Sequence, residues 1–92
     1  MAAAYPIRVI SGRGGVVAVG RTANITERGV YALFRRDREL PASITVELIL
    51  PAHTVTESRN ATRTVLYRCR VTHQERMGKH LGAGLEFVKK IR

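Results

Sequence analysis

Ser43-Ile44-Thr45-Val46-Glu47-Leu48-Ile49-Leu50 decides the fold class. Ile44, Val46, Leu48 and Leu50 fall on one face at a period of two, with Ser43, Thr45 and Glu47 on the other. That is the pattern of a half-buried strand. Pro51 ends it, because proline brings no N–H to a ladder. Working outward, Thr62 to Thr72 repeats the alternation. Val65, Tyr67, Cys69 and Val71 face one way; Leu66, Arg68 and Arg70 face the other. The second face is basic and is expected to meet solvent or a ligand. Between the two runs, Ala52 to Ala61 is polar and reads as the turn of a long hairpin, with Val55 a candidate for pairing.

Toward the N-terminus, Tyr5 to Ser11 is a first strand with Ile7 and Val9 on one face, and Gly12-Arg13-Gly14-Gly15 is a hairpin turn. Val16 to Ala23 is β-rich, and Gly20 within it signals a bulge or a close backbone approach. Asn24-Ile25-Thr26-Glu27-Arg28-Gly29 then reads as a polar connecting loop, with Gly29 available for a positive φ. Val30 to Phe34 is a short strand. Arg35 to Glu39 is a charged connection, expected to be solvated and to carry weak local ion pairs, and Leu40-Pro41 closes it. Toward the C-terminus, Gln74 to His80 is a polar turn containing Gly78, Gly82 to Val88 is the last strand, and Lys89 to Arg92 is a basic tail. No long run shows a helical period. Six or so strands in one small domain predict an all-β fold, a closed six-stranded antiparallel barrel over about residues 5–88 with little or no helix.

With 92 residues the chain is expected to form a single domain. Hydrophobic residues are 45% and aromatics 5%, without tryptophan, so Val, Ile, Leu and Ala must build the core. Lys plus Arg is 16 against 7 for Asp plus Glu, a net charge of +9, and the pI is about 11.1. Thirteen of those cations are arginine, whose planar fork suits phosphates and guanine edges. Composition alone leaves two explanations open: an anionic partner, or a solvated, highly charged surface. Cys69 is the single cysteine, so no disulfide forms within the chain, and its place in the alternation makes it a buried, inert thiol. The first residues lack the basic and apolar regions of a signal peptide, and nothing reaches the length of a membrane span. A cytoplasmic protein is the resulting expectation.

The residues argue against catalysis. His53, His73 and His80 are dispersed, and none has a short spacing to Cys69, so no metal site is expected; His73 and His80 are the one pair that could meet across a turn. Asp37, the only aspartate, lies in an arginine run, and no nucleophile–base–acid set is evident. Neither phosphate-binding glycine motif is present. Nucleic-acid binding has the charge in its favour, but only Tyr5 and Tyr31 offer themselves as stacking platforms.

Gly20-Arg21-Thr22-Ala23-Asn24-Ile25-Thr26-Glu27-Arg28-Gly29-Val30 resembles the signature of PilZ domains, in which the loop reads [D/N]-x-S-x-x-G. Asn24 stands at the acid-or-amide position, Thr26 where serine is usual, and Gly29 at the glycine. The strand after Leu40-Pro41, the Leu66 to Thr72 strand and Leu81-Gly82-Ala83-Gly84-Leu85-Glu86-Phe87 are similar to the family's later strands, so the resemblance spans about residues 5–88. It implies a six-stranded antiparallel barrel and a part in bacterial cyclic di-GMP signalling. Asn24 would bond a guanine edge, the Thr26 hydroxyl a phosphate or the loop itself, and Gly29 would let the backbone approach.

The family's R-x-x-x-R motif does not stand just before the first strand, where the resemblance expects it. Arg8 and Arg13 are five apart, and Arg8 lies inside the strand. The family's C-terminal helix is not expected within this sequence, as only four residues follow Val88. Arg8, Arg21 or Arg28 would have to replace the phosphate clamp. Losing two charge-assisted contacts costs about 3–6 kcal/mol in sum, roughly two to four decades of affinity. Three readings therefore stand: a cyclic di-GMP module with a reduced site, a degenerate PilZ barrel that works by contact with a protein partner, and a basic nucleic-acid-binding barrel.

Overall fold

The structure, a computed structural model, describes residues 4–51 and 62–92. All six of its elements are strands: β1 Pro6–Ile10, β2 Val16–Ile25, β3 Gly29–Phe34, β4 Ser43–Pro51, β5 Thr62–Met77 and β6 His80–Lys90. They close into an antiparallel barrel in the order β1-β2-β3-β6-β5-β4. The expected fold is the observed one. The hairpin turn between Ala52 and Ala61 and the pairing of Val55 lie outside the described residues, as does His53.

Alternation fills the interior. Ile7 and Val9 from β1, Ala32 and Phe34 from β3, Ile44, Val46 and Leu48 from β4, Cys69 from β5, and Leu81, Ala83 and Leu85 from β6 are all buried together. With Phe34 the single fully buried aromatic ring, aliphatic packing carries the core. Ile25, Leu50, Tyr67, Val71 and Phe87 pack partly exposed against it, and the rings of Tyr67 and Phe87 stack with centroids 4.1 Å apart. Leu40, from the connection after β3, is buried as well. Gln74 holds it there: the Leu40 N–H donates to Gln74 Oε1 at 2.6 Å, and Gln74 Nε2 donates to the Leu40 carbonyl at 3.0 Å.

Four expectations need correction. Gln74 to His80 is mostly strand, and the turn is Gly78-Lys79 alone. Gly78 has φ 63°, and a positive φ confined to the first central residue suits a tight two-residue hairpin, which lets polar residues stay paired right up to the turn. Lys89 and Lys90 likewise belong to β6, opposite Arg68 and Tyr67, rather than to a tail. Gly29 does not have a positive φ; it is buried where β3 crosses β6, and a Cβ there would strike the Leu85 carbonyl. In the Arg35 to Glu39 connection, Arg36 donates to the Arg38 and Glu39 carbonyls, and no ion pair forms there among the described residues. At Gly20 the alternative realised is close approach, since a Cβ would meet the backbone of Leu33 and Phe34.

Candidate functional site

The polar connection is shorter than the sequence suggests. Asn24 and Ile25 complete β2, Gly29 opens β3, and only Thr26, Glu27 and Arg28 form the turn. Thr26 braces it. Its N–H donates to the Gly29 carbonyl at 2.9 Å. Its hydroxyl accepts from the Arg28 N–H at 3.2 Å and points to the Gly29 carbonyl at 3.4 Å. A threonine hydroxyl bonding its neighbours' backbone is a common way to fix a turn. The Phe87 N–H donates to the Arg28 carbonyl at 2.8 Å, which ties the turn to β6.

A bulge decides where Asn24 points. Ala18, Gly20 and Thr22 occupy inward positions on β2, so strict alternation would turn Asn24 inward too. The β2–β3 register instead skips between Thr22 and Asn24, pairing Thr22 with Ala32 and Asn24 with Tyr31. Ala23 is the extra residue. Asn24 is thereby exposed and Ile25 turns back toward the core. A second skip, between Val71 and His73, makes Thr72 the extra residue of β5. The Thr72 hydroxyl donates to the Gly84 carbonyl at 3.1 Å.

Between these two bulges lies an open groove of about 300 Å³, lined by Asn24, Thr26, Arg28, Tyr31, Thr72 and Glu86 among others. Tyr31 sits opposite Gly84 in the β3–β6 ladder, and Gly84, lacking a side chain, leaves the groove its floor. Arg28 is exposed and meets no carboxylate among the described residues. Glu86 is paired with Arg70 at 2.7 Å, which offsets the one negative charge on the groove wall. Tyr31, one of the two aromatic candidates, is therefore part of the site, though half-buried; Tyr5 is half-buried beside Thr22, whose Oγ1 accepts its N–H at 2.9 Å.

Of the six candidate ligand-binding residues, the fold brings together Asn24, Thr26, Arg28 and Gly29. Arg21 and Arg8 stand apart. Arg21 lines a different groove with Val19, Leu33 and Arg35, and its Nη1 donates to the Ala4 carbonyl at 3.2 Å. Arg8 pairs with Glu47 of β4, its Nε is buried, and its guanidinium thus lies along the sheet. It sits opposite Val19, five positions up β2 from Asn24, roughly 16 Å at the usual strand rise. Arg8 is not among the residues that line this groove. Among the polar side chains that line the groove, Thr72 and Glu86 are the two that sequence reasoning did not find. Both arrive through ladder register, which has no local signal. His73 and His80 do not meet; they oppose Gly84 and Met77 respectively. Among the described residues no three His, Cys, Asp or Glu cluster in a way that would hold a metal. Cys69 is buried, and desolvation pushes its thiol up to about 12. No helix among the described residues is long and apolar enough to cross a membrane.

No family model, no curated protein and no solved structure matches this chain.

Proposed function

We propose that this protein is a PilZ-like signalling module that binds cyclic di-GMP in the groove beside the Thr26–Arg28 turn, with a reduced site. The observation that carries the reading is the convergence of Asn24, Thr26, Arg28 and Gly29 on one open groove. The bulge at Ala23 supports it, because bulges recur next to binding sites, where they re-aim a side chain. In this reading the Asn24 amide bonds a guanine edge and Arg28 supplies the charge for a phosphate. Thr26 positions both by holding the turn. Tyr31 offers a partly exposed ring beside the glycine floor. The groove volume is at the low end for a small-molecule site, which suits contact with one half of the dinucleotide. The reaction class is binding, without catalysis.

Titration calorimetry with cyclic di-GMP tests this directly. Heat and a thermal shift are expected at ligand concentrations up to hundreds of micromolar, roughly the range left after losing two arginine contacts. Asn24→Ala and Arg28→Ala should each weaken binding about tenfold or more. Affinity unchanged in both variants would remove the groove as the site, and silence of the wild-type protein would remove the ligand.

One observation favours the second reading, a degenerate barrel that acts by contact with a protein partner. Arg8 is engaged with Glu47 and Arg21 faces another groove, so only Arg28 remains to hold a doubly charged nucleotide.

A further inference from the structure

The groove that Arg21 does line is largely apolar, about 410 Å³, formed by Val19, Gly20, Arg21, Leu33, Arg35 and His80. Its construction follows from the ladder. Arg21 is opposite Leu33, and the Arg35 N–H donates to the Val19 carbonyl at 2.9 Å, so β2 and β3 present two aliphatic and two arginine side chains in a checkerboard. Val19 is 45% exposed and Leu33 39%. Leu33 is in turn opposite Gly82 of β6, over which the Tyr31 hydroxyl and the Met77 methyl lie. The floor between the two arginines is aliphatic. Arg21 and Arg35 stand at opposite corners, diagonal neighbours whose α-carbons are roughly 7–8 Å apart. Neither Arg21 nor Arg35 meets a carboxylate among the described residues, whereas Arg8, the next arginine around the barrel, is neutralised by Glu47.

From this geometry we infer that the β2–β3 face is a docking surface for an acidic segment of another protein. One aliphatic side chain of the partner seats between Val19 and Leu33, and carboxylates on either side of it meet Arg21 and Arg35. Charge complementarity selects the class. Two arginines with no carboxylate partner among the described residues, on a chain of net charge +9, call for anions, and an aliphatic floor calls for an apolar anchor between them. A nucleic acid would supply the anions but would want aromatic faces to stack on, and the one ring lining this groove is the His80 imidazole. Because the barrel is closed, this part of the sheet has its ladder bonds made, so recognition falls to side chains and not to an added strand. The surface is separate from the Asn24 groove, so it stands whether or not cyclic di-GMP binds.

Fluorescence anisotropy with a fluorescein-labelled peptide of aspartates and glutamates around a single central leucine tests the inference. Saturable binding is expected. Replacing that leucine by serine, or the carboxylates by amides, should weaken it about fivefold or more. Arg35→Glu and Leu33→Ser should do the same, with Val19→Ser reading the same groove if Leu33→Ser fails to fold. Arg68→Glu, which removes the same charge from the exposed face of β5, should leave it within about twofold, and so should Asn24→Ala. Equal losses in Arg35→Glu and Arg68→Glu would overturn the proposal in favour of attraction to net charge. Equal binding of the leucine and serine peptides would overturn the apolar anchor. An oligothymidylate of the same charge that binds tighter, with the same dependence on Leu33, would replace the protein partner by a nucleic acid.

Discussion

Gly29 lies in the family-like motif, yet its place in the structure is explained by packing. Its α-carbon faces the Leu85 carbonyl across the β3–β6 ladder, where a methyl group has no room. Gly29→Ala should therefore lower stability by about 2–3 kcal/mol by forcing the two strands apart. Urea unfolding measures it, and a loss below about 0.5 kcal/mol would mean the ladder gives way without strain. At Cys69 the prediction concerns pH. Burial pushes the thiol from 9.0 up to about 12. Below the lower value both folded and unfolded chains carry the neutral thiol, and this group adds no pH dependence. Between the two values the unfolded chain releases the proton first, so stability falls as pH rises, by about 1.4 kcal/mol per unit. Cys69→Ala starts less stable, because it opens a cavity, but should lack this slope. Urea midpoints at about pH 8 and about pH 10 give the difference, and parallel decline in the two proteins would contradict the assignment.

At the scale of elements, the connection between β3 and β4 is tied to β5 by the Gln74 side chain and by the Val71 N–H, which donates to the Ala42 carbonyl at 2.8 Å. Gln74 makes both bonds that a neighbouring strand would offer to the Leu40 backbone, and so keeps Leu40 in the core. Gln74→Ala should cost about 2–3 kcal/mol, the two bonds plus the penalty of leaving the Leu40 groups unsatisfied. The denaturant midpoint should drop while the slope stays constant; a lower slope would indicate that the connection was already loose in the native state. The β5–β6 hairpin makes a smaller prediction. Gly78→Ala puts a Cβ at φ 63° with open space around it, so the change acts on the backbone alone, at about 1–2 kcal/mol.

For the whole molecule, charge sets the expectation. Sixteen cations face seven anions, and the described residues hold two ion pairs, Arg8–Glu47 and Arg70–Glu86. Self-repulsion among surface arginines should outweigh those pairs. Raising sodium chloride from about 0.05 M to about 0.5 M shortens the screening length severalfold and should raise the melting temperature by a few degrees, on the order of 2–6 °C. A calorimetric scan at the two salt concentrations reads it. A fall in melting temperature would show that the two pairs matter more than the excess of arginine.

Much of the barrel was legible from the chain. The inward faces of Ile7 and Val9, of Ile44, Val46 and Leu48, and of Val65 and Cys69 follow from a period of two, which is local and survives any arrangement of partners. The adjacent Leu33 and Phe34 divide on the same rule: Phe34 is wholly buried and Leu33 faces out. What the tertiary structure alone decided are the exceptions to that period and the company each outward residue keeps. Asn24 is on the outer surface because β2 and β3 slip past one another at Ala23, and Thr72 and Glu86 reach the same groove through the β5–β6 and β3–β6 registers. Gln74 to Met77 stays in the sheet because a two-residue turn lets the ladder run to its end, against the polarity of its side chains. Local periodicity is set by the bonds within one strand. A bulge, a close approach and a shared groove are set between strands, by residues far apart in the chain, and no stretch read by itself contains them.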